Sequence, residues 1–396
     1  MPLPLVNSRT RFGTVARSLH WLTALLILTA IPLGLYANSL PHDTSAALAA
    51  KAQMFSLHKT LGVAAFFVAL VRILWALTQP RPVPLHPDRR VETAVADLVH
   101  WILYISLLAV PLSGWVHHAA TTGFAPILWP FGQNLPFVPK IPAVEHVAAT
   151  AHRLFTKLLI AAILLHIAGA LKHHLIDRDA TLRRMISGVV APGIPQAPRQ
   201  GAAPMLAALA IYAAGSGLAF ALTRAEPEPI ETATPAVTTG NWQVTEGTLS
   251  LGVRQIGADV QGSFATWSAD ITFDDTTGMG HVTVFIDIAS LTLGSVGDQA
   301  KGAEFLDAAT HPTATFTAAI RPEGSTFIAE GTLALRGMSQ PLAMPFSLTI
   351  EGDTALMEGS TSIDRRTFGI GAKYPDEATV GFAADVTVGL TAKRTN

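Results

Sequence analysis

The sequence predicts an all-α membrane bundle of four helices plus a fifth transmembrane helix, followed by an all-β antiparallel barrel. Only 14% of the 396 residues are charged and 49% are hydrophobic, whereas soluble domains carry about 25% charged residues. Long apolar runs occupy the first part of the chain, and short alternating segments with Gly and Asp turns follow residue 240. The composition therefore excludes a wholly soluble protein.

The two parts of the chain carry opposite net charges. Residues 1–239 hold 18 Lys and Arg against 10 Asp and Glu, and residues 240–396 hold 9 against 18. This asymmetry indicates two domains in different surroundings, and neither part has the basic, aromatic-rich pattern of a nucleic-acid binder. Cysteine is absent, which excludes disulfides, thiolate zinc sites, iron–sulfur clusters and a catalytic thiol.

Five apolar runs have the length of about 18 residues or more that a bilayer requires. The first is too long for the apolar region of a signal peptide, and further runs follow it. The predicted spans are residues 18–42, 55–78, 98–115, 149–171 and 205–222.

Proline-rich segments separate the predicted domains. We expect a membrane domain of four helices at residues 1–190, and a linker with the fifth helix at residues 191–225. A Pro-rich tether at residues 226–239 then leads to a β-domain at residues 240–396. About 14 residues reach at most about 50 Å, so we expect the barrel to dock at the outer end of the bundle. The alternative is a barrel that is tethered to the bundle but does not dock on it.

Four histidines fall in the spans at two depths. His152 and His166 are 14 residues apart, which places them about 21 Å apart along one helix face. His20 can meet His166 near the inside, and His58 can meet His152 near the outside. Two imidazole pairs in a four-helix bundle predict two haem b groups and favour electron transfer. His100 has no partner at its depth and is interpreted as a hydrogen-bonding core residue.

Cationic residues lie near both pairs. Lys59, Arg153 and Lys140 would either steer an anion towards the outer pair or bind the propionates of the outer haem. Arg17 and Arg72 would bind the propionates of the inner haem, although Arg72 could instead extend to the membrane interface. These alternatives remain open from the sequence.

Several motifs resemble the bacterial cytochrome b561 family of four-helix, di-haem membrane proteins. The resemblance covers residues 10–190 and implies that the four paired histidines are the axial haem ligands. The matching stretches are Arg17-Ser-Leu-His20-Trp21, Leu57-His58-Lys59-Thr-Leu-Gly62, Val71-Arg72-Ile-Leu-Trp75, His152, and Leu165-His166 followed by Lys172-His173-His174.

The resemblance also implies a reaction. Family members exchange electrons with quinone, and some are implied to oxidise superoxide at the outer face and reduce ubiquinone. Lys59 and Arg153 are then candidate catalytic residues that guide superoxide. His173, or its neighbour His174, is a candidate proton relay, because the pKa of histidine lies near neutrality.

The C-terminal region alternates apolar and polar residues over short runs, as in residues 281–287 and 326–335. This pattern is typical of antiparallel strands, and about eight strands suit a sandwich or a closed barrel. A barrel of this size holds one elongated apolar ligand or is filled by its own side chains.

Residues 240–394 resemble the YceI family of lipocalin-like periplasmic barrels, which implies an isoprenoid chain bound inside. One stretch departs from the family: residues 297–304 replace its usual Arg-Asp-x-His-Leu, so the roles of that Arg and His do not transfer. The matching pieces are Trp242, Gly262-Ser-Phe264, Phe305-Leu-Asp-Ala-Ala-Thr-His-Pro312, Gly331-Thr-Leu-Ala-Leu-Arg-Gly337 and Asp364-Arg-Arg-Thr-Phe-Gly-Ile-Gly371.

Together these features predict a di-haem membrane protein that exchanges electrons with quinone, of superoxide:quinone oxidoreductase type, with a tethered isoprenoid-binding barrel. Two other functions remain open. The first is a haem relay to a periplasmic redox partner, and the second is an isoprenoid- or lipid-binding protein for which the haem domain is the membrane anchor.

The distribution of cations predicts the orientation in the bacterial inner membrane. With a cytoplasmic N-terminus, the inner segments hold 11 Lys and Arg, and the outer loops hold only Lys51 and Lys140. Cytoplasmic loops are enriched in these residues, so five spans place the C-terminal domain in the periplasm. We expect alkaline phosphatase to be active when fused after residue 395 and inactive when fused after Pro84. The reverse pattern would contradict this orientation.

Overall fold

A computed structural model describes residues 4–86, 88–121, 123–128, 130–191, 201–224 and 240–395. The described chain divides into two compact units, one built on the long helices and one on the strands. The predicted tether at residues 226–239 lies outside the described residues, as does most of the linker that begins at residue 191.

Five helices are long and apolar enough to cross a membrane, which confirms the predicted number of spans. A short helix, α5, precedes the last of them. Helix α2 begins ten residues before its predicted span, and helix α4 begins seven residues before its own. Helix α4 starts with a proline, a residue that favours the first position of a helix. The bounds are α1 Thr14–Ser39, α2 Ser45–Leu77, α3 Arg90–Ala119, α4 Pro142–Leu175, α5 Thr181–Ile186 and α6 Ala203–Arg224.

Helices α1 and α3 each contain an internal proline, Pro32 and Pro111. A proline has no N–H group and interrupts the helical hydrogen-bond ladder, which membrane helices tolerate when neighbouring groups satisfy the freed backbone. Both prolines lie within two residues of a backbone carbonyl that binds a histidine, as described below.

The fifth long helix packs into the bundle. Its Tyr212 is buried against Phe155 of α4, with ring centres 4.9 Å apart. The Tyr212 hydroxyl also forms a hydrogen bond with Ser106 and donates to the Ile102 carbonyl of α3. Because a hydroxyl in hydrocarbon needs a partner inside the protein, these bonds fix α6 against α3 and α4.

A buried arginine joins the loops at one end of the helical unit. Arg184 of α5 is only 5% exposed. Its guanidinium donates to the carbonyls of Thr10 at 3.2 Å, Val83 at 2.9 Å and Ala191 at 3.4 Å. Three segments that are distant in sequence are therefore held by one side chain.

The second unit is a closed antiparallel barrel, as predicted. Its circuit of eight strands runs β1-β3-β4-β6-β7-β8-β9-β10 and closes by pairing β10 with β1. The second half of β1 pairs with β2, which in turn pairs with β5. The strands are β1 Trp242–Gln255, β2 Ala258–Phe264, β3 Trp267–Asp274, β4 Met279–Asp287, β5 Leu291–Leu293, β6 Thr313–Glu323, β7 Thr326–Leu335, β8 Met338–Glu351, β9 Thr354–Asp364 and β10 Val380–Arg394.

The stretch that departs from the YceI pattern folds as a short helix, α7, at Gly297–Lys301. Its Gln299 and Ala300 line the interior of the barrel. The segment that departs from the YceI pattern therefore lines the barrel interior, where the resemblance to this family implies a bound ligand.

A second buried arginine organises one end of the barrel. Arg365 is 7% exposed and donates to five backbone carbonyls. All five acceptors lie on the segment that leads into β10 or on β10 itself. The acceptors are Ile370 at 2.7 Å, Gly371 at 2.9 Å, Tyr374 at 2.5 Å, Val380 at 3.1 Å and Gly381 at 2.9 Å.

We expect Arg365→Leu to destabilise the barrel by on the order of 3–5 kcal/mol, because buried carbonyls would lose their donors. The urea-induced unfolding transition of the barrel in the full chain measures this loss. Arg321→Leu is the matched control, since Arg321 forms surface ion pairs with Glu323 and Glu330 and its loss should change stability by less than about 1 kcal/mol. Equal effects of the two substitutions would contradict a structural role for Arg365.

Candidate functional site

The helical unit contains two facing imidazole pairs. The rings of His58 on α2 and His152 on α4 have centres 6.4 Å apart. The rings of His20 on α1 and His166 on α4 have centres 6.2 Å apart. The structure thus brings together the four histidines that the sequence pairs by depth.

A backbone carbonyl holds each ring of the pair formed by His58 and His152, which we call the outer pair after the orientation that the sequence predicts; His20 and His166 are the inner pair. The Nδ1–H of His58 donates to the carbonyl of Ala30 at 2.8 Å, and the Nδ1–H of His152 donates to that of Val110 at 2.9 Å. A carbonyl only accepts, so Nδ1 carries the proton in both rings and the lone pair is on Nε2. Both histidines therefore present Nε2 as a ligand atom.

A glycine makes room for each of these rings. A Cβ on Gly34 would lie 2.7 Å from the His58 ring, and a Cβ on Gly114 would lie 2.9 Å from Nδ1 of His152. Gly34 is four residues after Ala30, and Gly114 is four residues after Val110. Each glycine therefore lies about one helical turn from the residue whose carbonyl binds the ring, on the same face of the helix. We call this pair of residues a carbonyl–glycine seat.

The inner pair has different neighbours. Arg72 donates from Nη2 to Nδ1 of His20 at 3.2 Å and lies over the ring of Tyr104 at 5.7 Å. His20 therefore accepts a hydrogen bond at the nitrogen where His58 and His152 give one, so its proton is on Nε2 in this arrangement. To bind a metal through Nε2, His20 would have to give up that proton or the bond from Arg72. His100 packs edge-on against His166 with ring centres 5.1 Å apart, so the structure adds a third imidazole to this pair.

The geometry of both pairs fits haem. An imidazole nitrogen binds a transition metal at about 2.0–2.1 Å, so two imidazoles on opposite sides of one iron have ring centres roughly 6–6.5 Å apart. Both observed separations fall in this range. A cavity beside the outer pair is lined by Gly62, Gly114 and His118 among others, and a Cβ on Gly62 would meet no atom within 4 Å.

The predicted cationic residues have different environments. Lys59 is 6% exposed and lines the cavity beside the outer pair. Arg153 is exposed and donates to Thr150 at 3.0 Å, and Lys140 is exposed on a loop. Arg17 donates to the carbonyl of Ile186 at 3.0 Å. Of the five cationic residues predicted from the sequence, the structure places Lys59 beside the outer pair and Arg72 beside the inner pair.

His173 belongs to a network that the sequence did not predict. Its Nδ1 lies 2.7 Å from Oδ2 of Asp179, and Nε2 of His86 lies 3.2 Å from the same oxygen. The two rings are stacked at 6.3 Å with planes 7° apart. Glu92 lies 3.1 Å from Nε2 of His173. Asp179 follows His173 by six residues, but His86 and Glu92 come from a distant part of the chain, so spacing along the chain does not reveal the network.

Charged residues complete this network. Nζ of Lys172 lies 2.9 Å from Oδ2 of Asp177, and Nη1 of Arg89 lies 3.0 Å from Oδ1 of the same carboxylate. Hydrogen bonds from these two residues lower the pKa of Asp177 to about 2. Its carboxylate thus contributes stability above its unfolded pKa near 3.9, and that contribution is lost as the pH falls towards 2. Three side chains of this network, those of Glu92, His173 and Asp177, have potential metal-ligand atoms within 4.8 Å of one another. Lys172 and Arg89, however, already neutralise the two carboxylates.

The barrel encloses a cavity of about 270 Å³, so it is not filled by its own side chains. The lining is apolar along the strands and includes Trp242 and Phe316. Three polar side chains line it as well, Gln255, Gln299 and Arg365. An apolar cavity with a few polar groups is typical of a site for a small, mostly apolar molecule.

Comparisons with known families agree with these two units. Residues 11–188 match the family model of prokaryotic cytochrome b561, and residues 241–393 match that of the YceI-like domain.

Curated relatives match the helical region. Cytochrome b561 homolog 2 of Escherichia coli is 28% identical over 185 residues, which is 46% of this chain and 95% of the relative. A Yersinia pestis protein named probable superoxide oxidase CybB is 24% identical over 44% of this chain and 96% of its own length. Among solved structures, Burkholderia cenocepacia BcnA is 29% identical over 37% of this chain and 96% of its own, with a TM-score of 0.36.

Five apolar helices and these relatives identify an integral membrane protein. The chain therefore joins a membrane region that matches the prokaryotic cytochrome b561 family model to a β-barrel that matches the YceI-like family model.

Proposed function

We propose that this chain is a membrane oxidoreductase that binds two haem b groups and passes electrons from superoxide to ubiquinone. The observation that carries the proposal is the pair of imidazole separations, 6.2 and 6.4 Å, in a four-helix arrangement. When bound, each haem would supply a one-electron carrier. His20 with His166, and His58 with His152, would hold the two groups.

The chain's own residues prepare the outer site. The carbonyl–glycine seats orient His58 and His152 and keep each Nε2 available, in the way that hydrogen bonds to ligating histidines fix their tautomers in metal sites. Lys59 supplies positive charge in the adjoining cavity, which favours the approach of an anion. The relative named probable superoxide oxidase supports superoxide as that anion.

The overall reaction requires protons as well as electrons. Two superoxide ions and one ubiquinone, with two protons, give two molecules of oxygen and one ubiquinol. We assign proton delivery to His173, His86 and Asp179, because their hydrogen-bonded chain begins two turns beyond His166 on α4. Arg72, beside His20, provides a fixed positive charge at the inner pair.

The barrel adds a lipid-binding function. Its apolar cavity and its YceI-like family support an isoprenoid ligand, and ubiquinone carries such a chain. We place the haem domain in the bacterial inner membrane and the barrel in the periplasm, as the distribution of loop cations indicates. A protein that binds isoprenoid lipids and is only anchored by the helices is the second candidate, which the cavity favours.

We expect His152→Ala and Gly114→Val each to lower the haem content from two equivalents to about one. The first substitution removes an imidazole, and the second places a side chain where the His152 ring lies. The pyridine haemochrome assay of the purified full chain measures the content. Gly217→Ala is the control, because a Cβ at this position in α6 meets nothing within 4 Å. Two equivalents in both site variants would refute the assignment of the outer pair.

We expect the purified protein to reduce ubiquinone-1 when xanthine oxidase supplies superoxide, and superoxide dismutase to abolish the reaction. Lys59→Met should lower the rate about tenfold at low salt, because steering of an anion is lost, and leave two haem equivalents. Lys157→Met, which removes an exposed lysine of α4, should leave the rate unchanged. Reduction of haem by quinol without any reaction with superoxide would instead favour the relay to a redox partner.

A further inference from the structure

The barrel cavity contains a buried amide whose oxygen has no partner. Gln255, at the end of β1, is 5% exposed and lines the cavity. Its Oε1 accepts no hydrogen bond from the described part of the protein. Buried polar atoms are almost always paired in folded proteins, so an unpaired acceptor beside a ligand cavity calls for a donor on the ligand.

The three polar side chains of the cavity belong to one end of the barrel. Gln255 pairs with Val380 across β1 and β10, and Arg365 donates to the carbonyl of the same Val380. Gln299 donates to the hydroxyl of Tyr374 at 3.3 Å, and Arg365 donates to the Tyr374 carbonyl. The cavity therefore has an apolar length and one polar end.

The other two polar side chains are already engaged at this end. The guanidinium of Arg365 donates to five backbone carbonyls, and the Gln299 amide donates to Tyr374. Both of these groups are donors in the bonds described. The Oε1 atom of Gln255 is thus the acceptor that a ligand head group can satisfy.

We infer that Gln255 selects elongated apolar ligands whose head group carries a hydroxyl, an isoprenoid alcohol or a hydroquinone, over ligands that end in a carbonyl or an ether. A hydroxyl donates to Oε1, whereas a carbonyl or ether oxygen has only lone pairs and leaves the amide oxygen unpaired. The inference rests on the proposed binding of an isoprenoid chain in the barrel. For a ligand that exists as quinone and hydroquinone, this selectivity makes the barrel a carrier of the hydroquinone, the reduced form.

Competition between matched lipids tests this selectivity in the full chain. The purified protein is incubated in detergent with equal amounts of geranylgeraniol and its methyl ether, captured, washed and analysed by mass spectrometry for retained lipid. A second arm uses decylhydroquinone and its dimethyl ether. We expect about tenfold enrichment of the hydroxyl form in at least one arm, and the arm that shows it identifies the source of the hydroxyl.

Two variants isolate the role of the amide. Gln255→Met keeps an unbranched side chain of similar size and should bring the ratio of retained lipids close to one. Gln243→Leu removes an exposed glutamine of the same strand and should preserve the enrichment. Equal retention of both lipids by the unmodified chain would overturn the inference and leave isoprenoid binding intact. Retention of neither lipid above that of a cavity-filling variant, Ala329→Trp, would overturn both.

Discussion

The helical unit depends on a constraint that a membrane imposes on imidazole. A buried ring has two nitrogens and no water, so one nitrogen needs a partner in the protein before the other can serve as a ligand. Backbone carbonyls of α1 and α3 supply that partner for His58 and His152. Each carbonyl is accessible only because a glycine one turn later leaves space for the ring. The outer site is therefore built before any group binds there.

The two imidazole pairs differ in this respect. The outer rings donate to carbonyls, which increases the basicity of a ligating nitrogen. The inner His20 instead accepts a hydrogen bond from Arg72 at Nδ1, which leaves its proton on Nε2. This ring would therefore have to give up that proton or the Arg72 bond before it could bind a metal. Metal binding at the inner pair thus requires a rearrangement that the outer pair does not need.

The sequence was sufficient for the elements and insufficient for most of their partners. Apolar length predicts the five spans, and the 14-residue spacing predicts which face carries His152 and His166. Alternation predicts the barrel because its strands are amphipathic. The hydrogen-bond acceptor of His58 could not be predicted, since a backbone carbonyl has no sequence signature. The Asp179 network could not be predicted either, since His86 and Glu92 reach it from a distant part of the chain. Arg365 was visible only as part of a motif, because its partners are carbonyls too.

The clamp formed by Arg184 has a consequence for how the membrane region is assembled. Its acceptors, Thr10, Val83 and Ala191, span nearly the whole length of the helical region in sequence. A chain that is inserted from its N-terminus cannot complete this layer until four helices have left the ribosome. Contacts of such long sequence separation form slowly. The first residues are therefore locked by a residue that follows the four-helix region, before α6 and the barrel have been synthesised.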